Sequence, residues 1–119
     1  MAPRQTAQEQ QYAREMARGT LPTHLYRLQD MGLNDPAEPR TASRATIHGG
    51  LGATGMLPPP ELECNSLQWL EGAGYVEVEW AMDDQTTYSS VTITQKGIGL
   101  YEDRNAKKKE PGLRLQPRR

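Results

Sequence analysis

One glycine divides the most informative stretch of this chain. Before Gly74, apolar residues recur at helical spacing over about Glu61 to Gly72, with Leu62, Leu67, Trp69, Leu70 and Ala73 available for a core. Directly after it, Tyr75-Val76-Glu77-Val78-Glu79-Trp80 alternates with period two. A helical pattern does not continue as a strand, so the chain must turn at Gly74, where glycine supplies the left-handed conformation. Val76, Val78 and Trp80 face one way; Tyr75, Glu77 and Glu79 face the other. Asp83-Asp84-Gln85 is turn chemistry. Tyr88 to Thr94 then predicts a second strand, with Val91 and Ile93 on the buried side, closing an antiparallel hairpin. Thr94 caps a short helix to about Asp103 that carries Ile98, Leu100 and Tyr101. The expected fold class is α+β: helices, a hairpin and a short C-terminal helix.

Upstream, Thr6-Ala7-Gln8-Glu9 reads as a capping box that opens a helix over about Ala7 to Arg18, with Gly19 as its stop. Its apolar face (Tyr12, Ala13, Met16, Ala17) is thin. Thr20 is expected to cap a second helix, about Leu21 to Met31, with Leu21, Leu25 and Leu28 on one face and Gly32 as its stop. Residues 33–41 hold two prolines and read as a loop, and Thr41 to His48 as a short helix. Residues 49–60 (GGLGATGMLPPP) read as having no regular element, which leaves twelve Gly/Pro-rich residues between His48 and the helix at Glu61. Three regions are expected: an N-terminal extension (1–19), a domain (20–103) and a basic tail (104–119) that reads as disordered.

Charge is distributed unevenly over this plan. The formal total is −1, yet residues 61–103 carry a net −8 and residues 104–119 a net +6. Such polarity speaks of partners more than the near-neutral total does. Apolar residues make up 35% of the chain, below the usual share, so the core is expected to draw on only part of it. No apolar run reaches the roughly 18 residues of a membrane span. The opening MAPRQTAQEQQ lacks a signal-type apolar stretch. Cys64 is the one cysteine, so no disulfide forms within the chain. A cytoplasmic protein with no membrane association is expected.

Leu67 to Leu100 resembles the recognition helix and wing of winged helix-turn-helix proteins, in particular the MarR-like pattern. The matching residues are Leu67, Leu70, Glu71, Gly74, Tyr75 and Val76, then Val91-Thr92-Ile93-Thr94-Gln95-Lys96-Gly97. The resemblance implies a winged-helix-like domain whose helix reads DNA, with Asn65, Ser66 and Gln68 at base edges. The charges argue otherwise. Duplex binding is dominated by phosphate neutralisation, and the helix offers Glu61, Glu63 and Glu71 with no basic residue. The wing tip offers Asp83 and Asp84. Cations for phosphate come from the tail: Arg104, Lys107, Lys108, Lys109, Arg114, Arg118 and Arg119.

No catalytic constellation emerges. Gly50-Leu51-Gly52-Ala53-Thr54-Gly55 fits G-x-G-x-x-G in letters, but Met-Leu-Pro-Pro-Pro follows, which cannot open the helix a dinucleotide site needs. His24 and His48 lack the spacing of metal ligands, and His24 is placed on the solvent side of its helix. Cys64 has a glutamate neighbour and no cation in sequence to activate it. Trp69 and Trp80 read as core. No enzyme, cofactor or metal is expected. The expected function is regulatory: an acidic helix–wing face of Glu61, Glu63, Glu71, Glu77, Glu79, Asp83 and Asp84 that binds a basic protein or nucleoprotein partner, in possible competition with nucleic acid. The alternatives are a winged-helix DNA-binding regulator and an accessory protein docked in a nucleoprotein assembly through its basic tail.

Overall fold

A computed structural model describes residues 6–102. The order is α1 (Ala7–Asp30), β1 (Thr41–Ser43), α2 (Arg44–Ala53), α3 (Pro60–Gly72), β2 (Val76–Trp80), β3 (Tyr88–Ile93) and α4 (Gln95–Glu102). The strands form an antiparallel sheet in the order β1-β3-β2. The fold is therefore α+β, as the change of period at Gly74 implied. The proposed tail, 104–119, lies outside the described residues.

Two expected helices are one. α1 starts at the expected capping box: Thr6 Oγ1 accepts from the Glu9 amide, and the Glu9 carboxylate accepts from the Thr6 amide. It then runs through Gly19 and Pro22 without stopping. Glycine ends a helix where the backbone turns left-handed, and Gly19 does not do so; Gly32, Gly55 and Gly74 do. Burial outweighs the local preference here. Leu21, Pro22, Thr23 and Leu25 are all buried, and the Thr23 hydroxyl donates to the Gly19 carbonyl at 2.7 Å. Gly32 does end the helix, with the Leu33 amide reaching back to the Leu28 carbonyl at 2.9 Å.

Residues 41–53 also depart from expectation. Thr41–Ser43 pairs with β3, Thr41 opposite Thr92, and so is a strand where a helix was expected. Ser43 then caps α2 by accepting from the Thr46 amide at 3.2 Å. α2 continues through Gly49, Gly50 and Gly52, where no regular element was expected. Two observations explain it. Ile47 and Leu51 stand one turn apart and are both buried. Gly50 lies against the His24 ring, and a Cβ there would collide with it. The glycine-rich segment is thus a helix whose missing side chain lets α2 close on α1. Only residues 54–59 separate α2 from α3.

The later elements follow the sequence closely. Pro60 opens α3 at its first turn. Gly74 has φ +85°, and the Tyr75 amide donates to the Leu70 carbonyl at 3.0 Å. Val76, Val78, Val91 and Ile93 face the helices, where Leu21, Leu25, Leu67 and Leu70 complete the core. Tyr75 was expected to face outward, yet it is 2% exposed, because it belongs to the turn before the strand and its ring packs beside Trp69. Trp69 and Trp80 are half-buried at the edge of the core. Thr94 caps α4 through the Gly97 amide at 3.1 Å. Gly97 packs on the Tyr75 carbonyl, leaving no room for a Cβ.

Candidate interaction surface

The acidic residues expected to share one face fall into three groups. Glu63 belongs to the interior: it is 2% exposed, and His48 Nε2 donates to its two oxygens at 2.8 and 3.0 Å. The Tyr88 hydroxyl donates to Glu63 Oε2 at 3.0 Å. A carboxylate that leaves water needs such partners. This corrects Glu63 as a partner-facing residue, and its physical reason is position: it lies on the inner side of α3 beside Leu67 and Leu70. The same triad holds the Tyr88 hydroxyl neutral, since burial first and the Glu63 charge second push its pKa far up. Cys64 next door is pushed the same way, chiefly by burial and then by Glu63, so its thiol stays protonated.

Glu71 is the second group. Its carboxylate accepts from the Val78 amide at 2.9 Å and from Trp80 Nε1 at 3.1 Å, clamping the end of α3 to β2. It serves the joint between helix and hairpin, a correction to its place on an open binding face. Ser66, expected to reach bases, is also internal at 2% exposure, with its hydroxyl donating to the Leu62 carbonyl at 2.7 Å. The free stripe of α3 is Glu61, Asn65 and Gln68, all exposed at i, i+4 and i+7.

Glu77, Glu79, Asp83 and Asp84 make the third group, all exposed. Glu77 and Glu79 alternate with core-facing Val76 and Val78, so they point to the side of the sheet away from α3. The register completes that outer face. Thr41, Thr92 and Glu77 form one cross-strand row; Ser43, Ser90 and Glu79 form the next. Thr41 and Thr92 hydroxyls bond at 2.7 Å, and the Ser90 hydroxyl reaches Glu79 at 3.5 Å. Glu38, absent from the expected site, joins Glu77 and Glu79 around a shallow groove over these rows. Its position could not be read without knowing that Thr41–Ser43 is a strand. Sequence alone joined α3 and the hairpin into one acidic face; the pleat separates them.

Two cations near α3 are engaged by aromatic rings. Arg18 lies 4.6 Å over the Trp69 ring. Lys96 lies 4.8 Å over the Tyr75 ring and donates to the Ala73 carbonyl at 2.6 Å. His48 Nε2 and Glu63 Oε2 lie 2.8 Å apart, an ion pair whenever the imidazole is protonated. At the hairpin tip Gln85 adopts φ +58°, and Asp84 accepts from the Thr86 hydroxyl at 2.7 Å and amide at 3.1 Å. Those bonds, the hydroxyl's first, hold its carboxyl below the ordinary range and keep the tip negative.

His24, placed on the solvent side by its helical position, is instead half-buried against Gly50 of α2. Burial and then nearby Arg27 lower its pKa, against an opposing backbone contact from Thr46. Among the described residues no three His, Cys, Asp or Glu side chains gather as metal ligands. No helix among them is long and apolar enough to cross a membrane. No protein-family model, curated protein or solved structure matches the chain.

Proposed function

We propose that the chain is a non-enzymatic, cytoplasmic regulatory protein of winged-helix arrangement that binds a basic protein or nucleoprotein partner on its acidic sheet face. The winged-helix reading draws on element order: helix, short strand, two helices and a hairpin, with the first strand pairing to the second arm of the hairpin. α3 then occupies the position of a recognition helix, and residues 80–88 that of a wing. The single free cysteine fits the proposed compartment.

The observation that carries the binding reading is the outer sheet face. It presents hydroxyls and carboxylates in register, and Glu38, Glu77 and Glu79 have no ion-pair partner among the described residues. Asp83 and Asp84 extend the negative field along the hairpin. Such a surface steers a basic partner and repels a phosphate backbone. DNA reading is the second interpretation, favoured by Asn65 and Gln68 on the free stripe of α3, with phosphates left to the basic tail. Docking through the tail in a nucleoprotein assembly is a third use of the same cations.

Charge reversal separates them. The variant Asp83→Lys/Asp84→Lys is expected to weaken binding of an oligolysine peptide and to strengthen a mobility shift with random duplex DNA. Sequence-selective DNA binding that Asn65→Ala and Gln68→Ala abolish, with oligolysine binding absent, would establish DNA reading in its place.

A further inference from the structure

Two histidines hold α2 to the rest of the fold, and they answer to acid in opposite ways. His48, near the middle of α2, lies against the Glu63 carboxylate of α3, with Nε2 at 2.8 and 3.0 Å from its two oxygens. A proton on His48 turns that contact into an ion pair. His24 of α1 meets the other half of α2. Its Cε1 and Nε2 stand against Gly50 with no room for a Cβ between them. Its Nε2 is buried and has no hydrogen-bond partner.

That contact suits a neutral ring and not a cation. A second ring proton would put a buried N–H donor and a charge where no acceptor waits. Arg27 of α1 adds a like charge, and the Thr46 backbone of α2 is the contact that opposes these effects. The ionisable side chains of α2 are Arg44, a cation, and His48, which is turned to Glu63. The buried carboxylate of α3, Glu63, is taken by His48 and Tyr88. The second half of α2 also has little else to hold it. Residues 49–53 (GGLGA) include three glycines, among the poorest helix formers, and Leu51 is their one buried side chain. Its helical state therefore depends on packing rather than on propensity.

We propose that α2 is an acid-operated flap: protonation of His24 releases residues 49–53 from α1, while the His48–Glu63 contact holds residues 44–48 as the pivot. Release uncovers Leu51 and the adjoining Leu57, which is packed partly against the core, so an apolar patch opens in acid and closes near neutrality. The direction follows from linkage. Burial first and Arg27 second lower the His24 pKa, so the closed flap binds its proton less readily than the open one. Closure is favoured above about pH 6.5, the ordinary imidazole value, and is lost as pH falls toward the folded value. The acidic sheet face takes no part in this device, so failure of the flap leaves the proposed function standing.

The test is amide hydrogen exchange of the full chain, followed by NMR between pH 7.5 and pH 5 and expressed as protection relative to the unstructured rate at each pH. Protection at Leu51, Gly52 and Ala53 is expected to fall about tenfold across that range, within the ceiling of about thirtyfold set by protonating an imidazole of pKa about 6.5 at pH 5. His48, Leu67 and Val91 should keep theirs, as expected of a local opening. His24→Gln should abolish the fall; His24→Phe replaces it if the glutamine variant loses its native spectrum. His48→Gln, which keeps a donor for Glu63 and takes no proton, should retain the fall. Constant protection at Leu51 and Gly52 in natively folded protein overturns the proposal. An equal fall at His48, or at Leu67 and Val91, overturns it as well, since all of α2 or the whole domain would then open together. A fall that survives in His24→Gln and vanishes in His48→Gln overturns it by giving control to His48.

Discussion

Glu63 and Glu77 are fourteen positions apart in the same acidic stretch, and the fold gives them opposite tasks. Glu63 is enclosed between α3, α2 and β3 with two donor side chains, and its charge is consumed by the interior. Glu77 is exposed on the sheet's far side with no ion-pair partner among the described residues. Sequence counts both as −1. Structurally, one carboxylate is a hydrogen-bond acceptor that fixes His48 and Tyr88, and the other is surface field. A net charge of −8 over 61–103 therefore overstates the binding surface, because Glu63 and Glu71 are engaged within the fold.

Four changes sharpen that contrast. Glu63→Ala should cost the most, about 3–5 kcal/mol by denaturant unfolding, because it strands the buried Tyr88 hydroxyl and leaves His48 without its partner. A loss under about 0.5 kcal/mol, the level of an ordinary surface change, would place Glu63 with Glu77. Glu71→Ala should cost less, about 1–3 kcal/mol, by freeing the Val78 amide and the Trp80 indole. Its signature should include a local increase in hydrogen exchange at Val78.

pH probes the same divide between interior and surface. His24 has a folded pKa below its ordinary 6.5, so the folded state binds its proton less readily than the unfolded chain does. Its stability contribution is present above pH 6.5 and is lost as pH falls toward the folded value. His24→Gln should flatten part of the slope of unfolding free energy between about pH 7 and pH 5, as read by chemical denaturation. The smallest effect belongs to Glu77→Gln/Glu79→Gln, expected to change stability by no more than about 0.5 kcal/mol. A larger loss would mean that the outer sheet face is structural too.

Legibility in the sequence followed the strength of local signals. The α3–Gly74–hairpin segment was readable because the period changes at one residue, and a positive φ at that glycine agrees with it. The capping box at Thr6 and Glu9 was likewise local. Gly19 and Gly50 misled because their helical state is imposed by packing at a distance: Gly19 is buried within α1, and Gly50 meets His24 across the α1–α2 contact. β1 was missed because three residues carry no pattern, and only pairing with β3 reveals them.

The candidate site was legible as charge but not as geometry. Glu77 and Glu79 were placed correctly on the polar side of their strand by alternation alone. Glu63 and Ser66 were misplaced because helical stripes are broad, and a glutamate beside Cys64 gives no sign that His48 and Tyr88 converge on it. Glu38 could enter only after β1 had brought the preceding loop alongside the sheet.

The most direct measurement is fluorescence anisotropy of a labelled octalysine peptide with the full chain at about 10 mM salt, where screening is weak. Unmodified protein should bind it, and Glu38→Gln/Glu77→Gln/Glu79→Gln should weaken binding about tenfold, the yield of three exposed charge pairs of about 0.5 kcal/mol each. Equal affinity of the two proteins, with both natively folded, would contradict binding of basic partners on the acidic sheet face.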